Sequence, residues 1–261
     1  MDILDKITTD KRVEVKLRKQ LIPNRQLEQS VLFERETISL THKLKNSTSG
    51  IIAEHKRRSP SKQVINHSLN IFDVAKGYEN AGVCGMSVLT DGKYFGGSLD
   101  DLIIARSSCN LPLLRKEFII DEYQILEAKA YGADVILLIA AILTKAEIKT
   151  FSELAQQLHL EVLLEVHNEE ELQKSIMPSL DMLGVNNRNL KTFEVSLETS
   201  KHLSNCIPND FVKVSESGIS NIDAIKTLHP YGYKGFLIGE NFMKTDNPGG
   251  SATQFINDLQ L

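Results

Sequence analysis

From Gly50 onward, short continuous apolar runs alternate with longer stretches whose apolar residues recur every three or four positions. The short runs predict buried strands over residues 51–56, 84–89, 112–115, 135–139, 162–166, 182–185, 211–214 and 235–238. The longer stretches predict helices over 71–81, 99–106, 121–131, 145–158, 169–176, 197–203, 222–228 and 252–259. Gly82 and Gly132 close two of these helices, and Thr144 and either Ser220 or Asn221 stand where N-caps belong. Asp91 to Gly97 reads as a glycine-rich loop.

Strands alternating with helices give a parallel sheet with right-handed crossovers. Eight such units over residues 49–261 predict the α/β class, as a single closed (β/α)8 (TIM) barrel. The competing open, doubly wound sheet often carries a glycine fingerprint after its first strand, and none is present.

Residues 1–48 behave differently. They are rich in Lys, Arg, Glu and Leu, and Ile3, Ile7, Val13, Val15 and Leu17 have roughly helical spacing. Pro23 breaks the pattern, and a second helical stretch follows through Leu27, Val31 and Leu32. The expectation is a helical extension packed on the barrel.

Composition narrows the function classes. The net charge of −4 supplies no global basic field for nucleic acid. Three widely spaced cysteines, Cys84, Cys109 and Cys206, suit neither a disulfide framework nor a zinc cluster. No signal-peptide core follows the charged start, and no apolar run is long enough to span a bilayer, so a cytoplasmic protein without membrane contact is expected.

The chemistry lies where the strands end. Leu113-Leu114 runs into Arg115 and Lys116, and the other strands deliver Glu54 and Lys56, Glu165, Asn186 and Arg188, and Glu216 and Ser217. In a barrel of this kind the C-terminal strand ends converge on one mouth. Carboxylates and lysines sharing a partly desolvated mouth shift one another's pKa, which suits general acid–base chemistry. Burial would lower the pKa of Lys116, and nearby carboxylates would pull it back up.

Ser217-Gly218 follows the seventh strand and Gly239-Glu240 the eighth, where such barrels often hold a phosphate through backbone N–H groups. The segment Arg58-Ser59-Pro60-Ser61-Lys62 reads either as a solvated turn or as a mobile loop over an anionic substrate. Phe95 and Phe118 are placed to line an aromatic pocket or to join the core. His167 reads either as a catalytic base or, with no partner visible in the sequence, as a structural residue, and the second reading is preferred. No spacing of His, Asp or Glu points to a metal.

The ordered motifs Ile52-Ala-Glu-His-Lys-Arg-Arg-Ser-Pro-Ser-Lys62, Ser87-Val-Leu-Thr90, Tyr94-Phe-Gly-Gly-Ser98 and Leu114-Arg-Lys-Glu-Phe118 continue the argument. Leu164-Glu-Val-His167, Gly184-Val-Asn-Asn-Arg-Asn-Leu190, Ser215-Glu-Ser-Gly-Ile219 and Leu237-Ile-Gly-Glu240 complete them. Together they span the chain, which resembles the indole-3-glycerol phosphate synthases of tryptophan biosynthesis.

That resemblance implies cyclisation of 1-(2-carboxyphenylamino)-1-deoxyribulose 5-phosphate to indole-3-glycerol phosphate, with loss of carbon dioxide and water and with no cofactor. It implies Lys116 as the general acid, Glu165 in the proton transfers, and Glu54 and Asn186 as positioning groups. Lys56 and Arg188 would meet substrate anions, and Ser59, Phe95, Phe118 and Glu216 would complete the substrate site. Ser217, Gly218, Gly239 and Glu240 would hold the phosphate, largely through backbone. A monomer or weak homo-oligomer is expected, with another tryptophan-pathway enzyme as a candidate partner.

Three departures stand out: Glu117 where the family pattern leads one to expect Asp, Gln63 where it leads one to expect Gly, and the segment from His229 to Gly235. Two other readings compete. One is a different phosphosugar barrel enzyme, such as phosphoribosylanthranilate isomerase. The other is a catalytically silent barrel that binds a pathway partner.

Overall fold

The computed structural model describes residues 3–190 and 192–259; Met1 and Asp2, part of the charged start, lie outside them. Eight parallel strands close into a barrel in sequence order. They are β1 (Ile51–His55), β2 (Gly85–Leu89), β3 (Leu113–Lys116), β4 (Val135–Ile139), β5 (Glu161–Val166), β6 (Met182–Asn186), β7 (Val212–Glu216) and β8 (Tyr233–Ile238). Pairing of β1 with β8 completes the ring, so no open sheet edge is left.

The twofold alternation of a strand sorts side chains between two cores. Ile52, Leu114, Leu137, Leu163, Met182, Val214 and Leu237 belong to one buried cluster, inside the barrel. Ile51, Ala53, Leu113, Ile136, Leu138, Leu164 and Leu183 belong to the other, between strands and helices. Two residues on from Ile52, Leu114, Leu163 and Val214 along the same inward face come Glu54, Lys116, Glu165 and Glu216. The strand period thus carries an apolar core upward into a charged mouth.

The helices match the sequence expectation to within a few residues, and most of their starts are capped by a side chain, Glu198–Ser204 being an exception. Thr144 forms a reciprocal capping box with Glu147, and Asn221 rather than Ser220 caps the helix Ile222–Leu228. The expected loop after β2 contains a single helical turn, Gly92–Phe95, capped by the Asp91 carboxylate.

The first 48 residues depart furthest from expectation. The helix Ile3–Leu21 buries Ile7 and Val15, while Val13 and Leu17 face outward. The second helix stops at Glu28, and Val31 is almost fully exposed. A third helix, Leu40–Lys45, is too short for periodicity to reveal. Its Leu40 and Leu44 are fully buried in the interior cluster and close the barrel from below. Glu161, at the start of β5, accepts hydrogen bonds from the backbone of Leu40 (2.8 Å) and Thr41 (3.0 Å), fixing this plug at its N-terminal end.

Among the described residues no helix is long and apolar enough to cross a membrane.

Candidate active site

A cavity of about 440 Å³ opens at the C-terminal ends of the strands. All fourteen residues singled out from the sequence line it: Glu54, Lys56, Ser59, Phe95, Lys116, Phe118, Glu165, Asn186, Arg188, Glu216, Ser217, Gly218, Gly239 and Glu240. Each arrives there from the C-terminal end of a strand or from the segment that follows one.

Lys116 sits at the centre. Its Nζ bonds the Glu216 Oε2 and lies 3.4 Å from the Glu165 Oε2. Its neighbour Arg115 points the other way, out of the barrel. It bonds Glu127 at 2.6 Å and the Gln124 carbonyl at 2.7 Å, anchoring the helix Glu122–Ala130. Of the adjacent cations, then, only Lys116 serves the mouth. Burial alone would depress its pKa, but Glu216, Glu165 and Glu54 outweigh burial and hold the ammonium above the usual lysine range. The same three carboxylates thus favour the ammonium form of Lys116.

The carboxylates around it diverge. Burial opposes the ionisation of Glu165, but Lys116 and then His167 overcome it and keep the group well below the usual carboxylate range. Glu54 is lowered in the same way by Lys56, whose Nζ is 2.7 Å from its Oε1, and by Lys116. Glu216 is the exception: burial and the charge of Glu165 push it up to about 7 despite Lys116. Its second oxygen, Oε1, is buried and has no hydrogen-bond partner among the described residues. One mouth thus contains carboxylates fixed as anions and one poised near neutrality, the division of labour that acid–base catalysis uses.

Asn186 donates from Nδ2 to the Glu165 Oε1 at 3.1 Å, and its own Oδ1 accepts from the backbone N–H of Arg188 at 3.0 Å. Lys56 and Arg188 are partly buried cations on the cavity wall. At one end Phe95 and Phe118 lie with ring centroids 5.8 Å apart, and Ile3, Leu4 and Ile7 of the first helix extend this apolar wall.

At the other end, Ser217 and Gly218 both have left-handed backbone, with φ of 65° and 80°. A side chain at Gly218 would also collide with Val195. Gly239 precedes the single turn Glu240–Met243. The Glu240 carboxylate turns away from any phosphate role and pairs with Lys62 at 2.6 Å, so only its backbone remains for an anion. Gln63 is exposed, in the loop that carries Ser59.

Sequence reasoning missed Lys11. It comes from the first helix, is 2% exposed, and lies 3.0 Å from both Asp91 and Glu117. Glu117, the departure from the family pattern, is thereby fully engaged. It also accepts from Thr90 Oγ1 at 2.8 Å and from the Phe118 N–H at 2.9 Å. Nothing in local spacing could reveal a pairing between an N-terminal helix and two distant strand ends.

The indole-3-glycerol phosphate synthase family model matches residues 4–255. An indole-3-glycerol phosphate synthase of Bacteroides thetaiotaomicron is 47% identical over 99% of both chains. Those of Polaromonas naphthalenivorans (42%, covering 98% of this chain and 99% of that one) and Caldanaerobacter subterraneus subsp. tengcongensis (40%, 99% of each) are similar throughout. Among solved structures, "Native KDPGal structure" superposes with a TM-score of 0.58 at 11% identity, covering 82% of this chain and 94% of that one. "Crystal structure of KGPDC from Streptococcus mutans" gives 0.58 at 14% identity, covering 81% and 97%. These two share the barrel fold.

Proposed function

The chain belongs to the indole-3-glycerol phosphate synthase family, and on that premise we propose that Lys116 is the general acid of its ring closure. The reaction is a carboxy-lyase step of tryptophan biosynthesis: the phosphorylated carboxyphenylamino-deoxyribulose closes to indole-3-glycerol phosphate, releasing carbon dioxide and water.

Ring closure turns a weakly electrophilic ketone into an alcohol, so the oxygen needs a proton as the carbon–carbon bond forms. Lys116 supplies it from an ammonium held by Glu216 and Glu165. The observation that carries this reading is the Lys116 Nζ between those two carboxylates in the cavity. Glu165, kept anionic, takes part in the proton transfers of dehydration. Glu54 and Asn186 orient the reacting groups. Glu216, with one oxygen unpartnered, contacts the substrate and holds Lys116.

Lys56 and Arg188 meet the carboxylate and phosphate of the substrate. The phenyl ring lies against the paired rings of Phe95 and Phe118, and Ser59 covers it from the first loop. Phosphate sits against the backbone of Ser217, Gly218, Gly239 and Glu240, where glycine allows close approach. The same reading takes residues 1–48 as an extension on a catalytic barrel of residues 49–261. It makes the protein a cytoplasmic monomer or weak homo-oligomer, open to association with another tryptophan-pathway enzyme.

The test is single-turnover indole fluorescence after mixing the protein with the carboxyphenylamino-deoxyribulose phosphate. Product formation at wild-type rate in a folded Lys116→Met variant would move the acid role elsewhere, with Lys56 the first candidate.

A further inference from the structure

His167 follows β5 by one residue, at the start of the helix Glu169–Ser175. It is largely buried, with only 11% of its side chain accessible, and it is not among the residues that line the cavity. Its ring lies between two carboxylates. Nδ1 is 3.1 Å from the Glu171 Oε2, and Nε2 is 3.3 Å from the Glu165 Oε1. The second contact is close but poorly aligned for a hydrogen bond.

The ring is held from behind. Glu171 Oε2 also accepts the His167 backbone N–H at 2.8 Å, and its Oε1 accepts from Asn168 Nδ2 at 2.9 Å. Asn168 caps the same helix by accepting from the Glu171 N–H at 2.9 Å. Helix start, Glu171 carboxylate and imidazole therefore form one rigid unit. A neutral imidazole has a single N–H, so it would turn a lone pair on one of the two carboxylates. Only the imidazolium presents a hydrogen to both.

We propose that His167 is a positioning residue for Glu165: clamped by Glu171, its cationic ring stands behind the Glu165 carboxylate and fixes where it sits. With Asn186 it gathers the Oε1 atom, which leaves Oε2 to Lys116 and the substrate. The groups facing the ring are Glu165 from the preceding strand β5 and Glu171 from the following helix. Beyond Glu165 stand Lys116 on β3, Asn186 on β6, Glu216 on β7 and Glu54 on β1. His202, on the next helix, reaches Glu169 at 3.7 Å and not His167. Glu165 and Glu171 together outweigh burial and raise His167 to about 10. The inference rests on the reading of Glu165 as a proton-transfer group, and the test separates the two.

The experiment is an imidazole NMR titration of the wild type and of Glu171→Gln and Glu165→Gln, with kinetics of these variants and of His167→Asn. In the wild type, His167 is expected to stay protonated well past neutrality. Either glutamine variant should bring its titration down toward the ordinary value of about 6.5. His167→Asn should lower kcat about tenfold, with KM changing less, because a loosened catalytic group costs rate more than binding. A His167 that titrates near the ordinary value in the folded wild type would overturn the proposal. So would a His167→Asn variant that loses stability while kcat stays intact. If Glu165→Gln shifts the His167 titration but spares turnover, the clamp stands and the proton-transfer role of Glu165 falls.

Discussion

A Cβ placed on Gly239 would lie 2.5 Å from the Oε1 of Glu54. The glycine beside the proposed phosphate site therefore also makes room for a carboxylate beside the proposed acid. Gly239→Ala should damage both functions at once: a fall in kcat through a displaced Glu54, together with weaker inhibition by inorganic phosphate. Gly218→Ala strains a left-handed backbone and strikes Val195 instead, away from the acid. It should weaken phosphate inhibition with a smaller effect on kcat. Steady-state kinetics of the two variants with phosphate as competitor would show the contrast, and equal losses of kcat would count against it.

Lys116→Met should lower single-turnover indole formation by at least about a hundredfold, the lower end of what a general acid contributes. Substrate affinity should fall less, because the phosphate contacts lie elsewhere in the cavity. Lys116→Arg should rescue little: a guanidinium is larger and planar, and it presents its hydrogens to Glu216, Glu165 and the substrate in a different geometry. Circular dichroism of each variant establishes that it is folded.

Glu216 makes stability depend on pH in a defined sense. Its folded pKa, pushed up to about 7, lies above that of the unfolded chain. The native state therefore binds this proton more tightly. The resulting stabilisation is complete below the unfolded pKa and is lost as pH rises through 7. Glu216→Gln keeps a neutral side chain throughout and removes that loss. Compared with the wild type, the variant should therefore fare better at pH 8 than at pH 5. Urea midpoints at the two pH values read this directly, and the opposite ordering would refute the assignment.

Lys11→Met should leave the buried carboxylates of Asp91 and Glu117 without their shared cation. Breaking a buried ion pair from one side costs about 3–5 kcal/mol, measurable by denaturant unfolding. Asp91 caps the turn that carries Phe95, and Glu117 holds the Phe118 backbone. The loss should therefore also raise KM by loosening the aromatic end of the cavity. A stable variant with unchanged KM would show that the first helix is merely attached.

The barrel and most of its mouth were legible in the sequence because both follow from the period of a strand. Apolar runs mark the strands, and the polar residue two positions past an inward apolar one, as with Leu114 and Lys116, enters the cavity. What stayed hidden has two physical causes. Lys11 pairs with groups on distant strands, and no local pattern encodes such a contact. The helix Leu40–Lys45 is only six residues long, too short to display a period. His167 lies between these cases. Its partner Glu171 is four residues on, a spacing that is readable once a helix is known to start at Glu169, whereas the approach to Glu165 needs the barrel itself.

The opening segment of the chain has a consequence for how the molecule assembles. Its first helix reaches the mouth through Ile3, Leu4 and Ile7, while Leu40 and Leu44 reach the opposite end. There Leu40 Cδ1 comes within 2.7 Å of where a Cβ on Gly85 would be, and Leu44 approaches Gly235 in the same way. Gly85 begins β2 but Gly235 lies in β8, so the seat of Leu44 exists only after the last strand has joined the barrel. A nascent chain emerging from the ribosome thus exposes Leu44 long before its seat is built. Such long-range contacts form slowly, and the intermediates that await them are the ones most prone to aggregate. The end of the chain is therefore needed before its beginning can be fully buried, and a chain cut short before β8 should leave Leu44 exposed.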